Sequence, residues 1–185
     1  MSTHHCFKHI DLPGWEEVSS SVLKWTLENT DFCTNKKYRG WTSIRTQKLL
    51  EEVPEINELF EVAGFKITNI SFFLRNNCLT SPPHSHVGDD LARINIPILN
   101  CKGTFTKFYE STEIEELVYN AQGSPLTQLP SFNNVKEIAS CEINVPTVLS
   151  VKTLHSVIIP PGTVFPRIMI SVKVDPDPIY LLIKD

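Results

Sequence analysis

Several features are scarce or missing in this 185-residue chain, and each narrows what it can be. Basic residues are outnumbered: 17 Lys and Arg stand against 21 Asp and Glu, for a formal net charge of −4. A general nucleic-acid binder needs a basic footprint, so the balance argues against that class. No stretch is apolar for long enough to cross a bilayer. The opening residues MSTHHCFKHIDLPGWEE lack the apolar core of a secretory signal. The five cysteines, Cys6, Cys33, Cys78, Cys101 and Cys141, are odd in number and widely spaced, with no CxxC pair. That argues against a disulfide framework or a cysteine zinc site, and for free thiols in a reducing compartment. A cytoplasmic protein is expected. Repeats and low-complexity segments are also missing.

What is present suits one domain over residues 1–185: hydrophobic residues make up 41% and charged residues 21%, enough to build a real core. Residues 1–64 read as mostly helical. In PGWEEVSSSVLKWTLENT, Pro13 suits a first helical turn, and Glu16 and Glu17 suit the positive end of the helix dipole. Trp15, Val18, Val22 and Trp25 recur at steps of three and four, one face of a helix. A second helix is expected through PEINELFEVAG, with Ile56, Leu59, Phe60 and Ala63 inward and Gly64 as its stop. From residue 65 onward the period becomes two. FKITNISFF, ARINIPIL, GTFTKFYE, TVLSVKTL and RIMISVKV alternate apolar with polar residues and are divided by Pro, Gly and Asn turns. Short strands after a helical region predict a β-sandwich or barrel with the helices packed outside. Ser111 to Ile138 reads as a long irregular loop, and its part from Tyr119 to Asn134 is a candidate cover for a site.

The chemistry-bearing residues cluster in TSPPHSHVGDDLARINIPI. In extended chain, His84 and His86 point to the same face and can share one metal ion. An HxH alone is a weak signal, since a pair of solvated loop histidines looks the same. Asp89 and Asp90 offer a carboxylate, which would complete the two-histidine, one-carboxylate face of non-haem Fe(II) sites; two adjacent aspartates also simply make a polar turn. His155, at the end of VLSVKTL, is a third candidate ligand. Arg167, in FPRIMISV, needs an anionic partner if it points inward and needs none if it points to water. Arg93 and Asn95 share a face, and Ser71 is a polar residue in an apolar strand. Alternation alone leaves inward and outward undecided for all of these.

Taken together, PPHSH, ARINIPI and LHSVIIPPGTVFPRIMISV resemble the 2-oxoglutarate-dependent Fe(II) oxygenases, in particular their aspartyl/asparaginyl β-hydroxylase-like branch. The resemblance covers about the last two thirds of the chain. It implies a double-stranded β-helix, a jelly-roll or cupin-like barrel, over residues 65–185. It also implies an Fe(II)- and 2-oxoglutarate-dependent dioxygenase that hydroxylates a small molecule or a peptide. His84 matches the first iron ligand, His155 the second, and Arg167 the arginine that binds the far carboxylate of 2-oxoglutarate. Arg93 and Asn95 stand where the branch has an arginine and a histidine near the other end of the cosubstrate, and Ser71 matches a serine of the preceding strand. The wider superfamily has aspartate two residues after the first histidine, where this chain has His86. The third ligand is therefore open among His86, Asp89, Asp90 and water, with same-face geometry favouring His86. The gap from His155 to Arg167 is longer than usual by two residues, which the PPG turn absorbs.

HSHVGDD also resembles the HxH-then-acid pattern of cupins, which include dioxygenases and isomerases that need no 2-oxoglutarate. The glycines usual around that pattern are missing, and Arg167 has no role in it. A barrel with vestigial histidines, binding no metal, is the third reading.

Overall fold

The computed structural model describes residues 5–34, 42–78, 80–113, 116–119, 125–129 and 131–183. A short strand β1 (Phe7–His9) is followed by four helices: α1 (Trp15–Glu28), α2 (Thr30–Thr34), α3 (Thr42–Glu52) and α4 (Glu55–Val62). Helix α1 starts just after Pro13, carries Glu16 and Glu17 in its first turn, and buries Val18, Val22 and Trp25 as the spacing predicts. Its end is tied by Asn29, whose backbone and side-chain amides both donate to the Trp25 carbonyl. After α4 the chain turns at Gly64, whose φ of +83° lies in the left-handed region where a side chain would be strained.

Ten further strands follow. They are β2 (Lys66–Arg75), β3 (His84–His86), β4 (Ala92–Leu99), β5 (Phe105–Ser111), β6 (Glu116–Tyr119), β7 (Pro125–Gln128), β8 (Val135–Glu142), β9 (Thr147–Ser150), β10 (His155–Ile158) and β11 (Arg167–Asp175). A 3-10 turn, Pro178–Leu182, comes after them. The described strands form a five-stranded sheet, ordered β1-β9-β4-β11-β2, and a six-stranded sheet, ordered β6-β7-β3-β10-β5-β8. Every pairing is antiparallel. The protein is thus mainly β, as expected. Two sheets take the place of one closed barrel, an arrangement compatible with a β-sandwich.

The main core lies between the helices and one face of the five-stranded sheet. There Val22, Trp25, Leu49, Ile56 and Phe60 meet Ile70, Phe72, Ile94, Ile96, Ile170 and Val172. These strand residues occupy one parity of β2, β4 and β11, so the other parity must face away from the helices. That other face carries Ser71, Arg93, Asn95, Arg167, Met169 and Ser171. It is turned toward the six-stranded sheet, because Met169 and Leu149 pack with Phe108 and Cys141 of that sheet in a smaller cluster. Phe7 of β1 stacks on Phe108, with ring centroids 6.2 Å apart. The helices therefore take the apolar sides of these strands, and the polar sides line the space between the sheets. Replacing Phe60, which is fully buried in the main core, by alanine should lower unfolding stability by about 3–5 kcal/mol. Denaturant midpoints would measure the loss.

The segment from Ser111 to Ile138 is not the long loop its sequence suggests. It contains β6, β7 and the start of β8. Strands β6 and β7 form a hairpin whose second arm continues the sheet through β3. The proline at the first position of β7 costs no ladder bond there. Within the candidate cover, residues 120–124 and 130 lie outside the described residues. No described helix is long and apolar enough to cross a membrane. All five cysteines are free thiols.

Candidate metal centre

Strand β3 is only three residues long, yet it lies between two neighbours. His84 and His86 pair with Gln128 and Leu126 of β7. On the other side, His155 of β10 lies directly opposite His84. Residues two apart on a strand share a face, and directly paired residues on adjacent strands share one too. The three imidazoles are thereby forced onto one face, and His155 packs against Phe108 at a centroid distance of 6.0 Å. Ring centroids are 4.6 Å apart for His84 and His155, 5.6 Å for His86 and His155, and 6.1 Å for His84 and His86. One ligand nitrogen from each ring falls within 4.8 Å of the others. Further bonds pin β3 in place: Ser85 Oγ to Thr127 Oγ1 at 2.6 Å, and His86 N donating to the Val151 carbonyl at 2.8 Å.

Two of the rings have their tautomer set by backbone. His84 Nδ1 lies 2.9 Å from the Pro82 carbonyl, and His155 Nδ1 lies 2.8 Å from the Thr153 carbonyl. A carbonyl only accepts, so each Nδ1 carries the hydrogen and each Nε2 keeps its lone pair. This is the outer-shell arrangement that orients histidine ligands. Burial holds all three rings in the neutral form that metal binding requires. It lowers His84, with Arg75 adding to the effect. It lowers His86 to about 4, with Arg93 and then His84 adding. It lowers His155 well below the usual value, with His84 and His86 adding.

The sign of the pH dependence follows. In the unfolded chain the histidines protonate near their ordinary value of about 6.5; in the folded metal-free protein they resist protonation until lower pH. Below about 6.5 the unfolded state binds more protons, so stability falls with pH, and for His86 the loss runs down to about 4. Unfolding midpoints of chelator-treated protein should drop through that window, and saturating metal should move the drop to lower pH.

The carboxylates behave differently from the histidines. Asp89 is 92% exposed and pairs with Lys173 at 2.7 Å. Asp90 is buried and accepts from Arg93 Nε at 2.6 Å, with Arg93 holding its carboxyl below the usual range against the opposing effect of burial. Neither belongs to the histidine cluster. Gly88 makes room for the Asp90 side chain, since a Cβ there would come within 2.8 Å of Asp90 Oδ1. Arg93 also donates to Ser71 Oγ at 3.2 Å, so Ser71, Arg93 and Asp90 form one chain across the interior. Asn95 is buried beside it, and its Oδ1 has no hydrogen-bond partner among the described residues.

Arg167 is 2% exposed and points inward. Its Nε donates to Thr104 Oγ1 at 2.9 Å, and its Nη2 approaches Met169 Sδ at 3.8 Å. Among the described residues no carboxylate pairs with it. Burial lowers its proton affinity, which expresses the cost of keeping that charge inside. Two residues near it escaped the sequence analysis. Thr104 sits in a turn, KGTF, that carries no pattern. Arg75 does have a signal, because the alternation of ISFFLR places it on the same face as Ser71.

Three imidazoles suit a first-row transition metal such as iron, and a buried guanidinium without a carboxylate suits an anionic ligand beside it. Comparison of the chain with protein-family models, with curated proteins and with solved structures finds no match to any of them.

Proposed function

We propose that the protein is a non-haem Fe(II)- and 2-oxoglutarate-dependent oxygenase that hydroxylates a small-molecule or peptide substrate. One observation carries this reading. Three histidines with metal-ready nitrogens share an interior with a buried arginine that has no acidic partner among the described residues. The strand orders support the jelly-roll part of the proposal. With the inserted β6–β7 pair set aside, β2, β3, β4, β5, β8, β9, β10 and β11 fall alternately in the two sheets in chain order, except that β5 and β8 pair with each other within one sheet. That pair at the midpoint, with alternation on either side, supports reading the two sheets as a double-stranded β-helix.

In this reading His84, His86 and His155 hold the metal, and Arg167 binds the carboxylate farthest from it through two parallel charge-assisted hydrogen bonds. Thr104 orients the guanidinium by taking its Nε hydrogen. Arg93, steadied by Asp90, keeps positive charge beside His86. Phe108, Leu149 and Met169 form an apolar wall that excludes water and strengthens each polar contact. Fe(II) and 2-oxoglutarate supply the activation of dioxygen that C–H hydroxylation needs.

The test is thermal unfolding under anaerobic conditions with Fe(II) or Mn(II), with and without 2-oxoglutarate. A ligand at about 100 times its dissociation constant adds roughly 2.7 kcal/mol. The proposal requires 2-oxoglutarate to stabilise the metal-loaded protein. A second reading, a cupin-type metalloenzyme without 2-oxoglutarate, is favoured by the ligand set itself: three histidines, and both candidate carboxylates engaged elsewhere. It requires the metal to stabilise the protein and 2-oxoglutarate to do nothing. If neither has an effect, the histidines are vestigial and both readings fail.

A further inference from the structure

Strands β2 and β11 are paired so that Arg75 lies directly opposite Arg167. The same register places Phe73 opposite Met169 and Ser71 opposite Ser171. Directly opposed residues of an antiparallel pair point to the same side, so the two guanidinium groups share the inner face. Like charges in that position repel and weaken the sheet. Sequences place an acid at such a pair unless something else neutralises it. Here no described carboxylate does: the buried Asp90 is held by Arg93, and Asp89 is exposed and held by Lys173. The two arginines also differ in depth. Arg167 is buried, whereas Arg75, the last residue of β2, is exposed. One cation therefore sits at the bottom of the interior and one at its rim, with the histidines close by. The register alone brings Arg75 beside Arg167, and Arg75 disfavours the charge on Arg167.

We infer that Arg75 and Arg167 form a two-guanidinium clamp on a single carboxylate group, so that a ligand entering this site binds by an acidic end held between β2 and β11. The inference rests on the reading of the interior as a cosubstrate site and adds Arg75 as an anion-binding residue to it. The clamp explains why a strand would end on an arginine opposite another arginine. An anion between them turns a repulsive pair into two attractive ones, and it also neutralises the buried charge. Arg75, being exposed, meets the incoming carboxylate first, and Arg167 takes it in its final position.

The experiment uses isothermal titration on the full chain with two probes: 2-oxoglutarate on Mn(II)-loaded protein, and glutarate on metal-free protein. Glutarate keeps both carboxylates but lacks the 2-oxo group that chelation needs. The variants are Arg75→Gln, Arg75→Lys and Arg167→Gln, each checked for Mn(II) affinity, which should not fall because neither arginine is a ligand. The clamp predicts that Arg75→Gln weakens both probes at least tenfold, that Arg75→Lys restores part of the loss, and that raising salt weakens native binding more than it weakens Arg75→Gln. Should Arg75→Gln bind both probes as tightly as the native protein while Arg167→Gln does not, the clamp is wrong and the oxygenase reading survives. Should glutarate and 2-oxoglutarate bind alike, with no help from the metal, and both be lost in Arg75→Gln, the clamp stands and the oxygenase reading falls. If native protein binds neither probe, both fail.

Discussion

Replacing His155 by alanine should lower affinity for Fe(II) or Mn(II) by at least about 100-fold, since even the partners that merely orient a ligand are worth 10- to 100-fold. His155 is the best residue for the experiment because it comes from a different strand than the other two. Its pairing opposite His84 is what makes three separate rings into one cluster. The substitution also removes the donor to the partly buried Thr153 carbonyl, a loss of about 1 kcal/mol, the net worth of a typical hydrogen bond. The metal-free variant should therefore unfold somewhat earlier, yet the rise in midpoint on adding metal should vanish. Asp90→Asn is the counterpart. It disturbs the bond to Arg93 but leaves all three histidines, so the metal-induced rise should persist. An alanine variant that still binds one equivalent of metal as tightly as the native chain would exclude the three-histidine centre.

Changing Arg167 to methionine should act in opposite directions on stability and on ligand binding. The side chain is almost wholly buried, and among the described residues it meets a threonine hydroxyl and a thioether. A buried cation without a counter-ion is expensive, and replacing buried ionic groups by apolar ones of similar size has stabilised proteins by about 1–4 kcal/mol. Arg167→Met should therefore raise the unfolding free energy of ligand-free protein by an amount in that range, offset in part by the lost hydrogen bond to Thr104. In the same variant, stabilisation by 2-oxoglutarate should disappear while that by metal remains. Denaturant melts with each ligand separate the two effects. A loss of stability without ligand would show that the guanidinium is compensated in the native fold and is not held for an anion.

The helices and most strands were legible because their signals are local. Val18, Val22 and Trp25 fix the buried face of α1, and the alternation in ARINIPIL and RIMISVKV fixes the period of β4 and β11. What stayed hidden was the direction of the polar side. A strand with one apolar and one polar face reads as half-exposed, so Arg93, Asn95 and Arg167 looked equally able to meet water. The layer of helices settles the matter: it takes Ile94, Ile96, Ile170 and Val172 and turns their neighbours inward. Strand β7 was missed because PLTQ is four residues long and opens with proline. Helix α3 falls in the stretch expected to be mostly helical, but TSIRTQKLLEE is polar along much of its length and gives no bounds of its own. In the site, same-face geometry pointed to His86, and the structure places His86 with His84 and His155. The fate of the two aspartates needed three-dimensional knowledge. Lys173 is more than eighty residues from Asp89, and no local pattern foretells that pairing.

The strand order of the five-stranded sheet has a consequence for how the chain is made. β11 lies between β4 and β2, so the strand that arrives last among those described fills an interior place in its sheet. Until it does, β2 and β4 each present an open edge, and their isoleucines and phenylalanines have no neighbour to close the core. Contacts this distant in sequence form slowly, and open apolar edges recruit other chains. A ribosome that stalls before Arg167 therefore releases a product that already holds every histidine of the metal cluster but lacks the strand that makes it safe from aggregation. Cells expressing the protein would need to shield that product or degrade it.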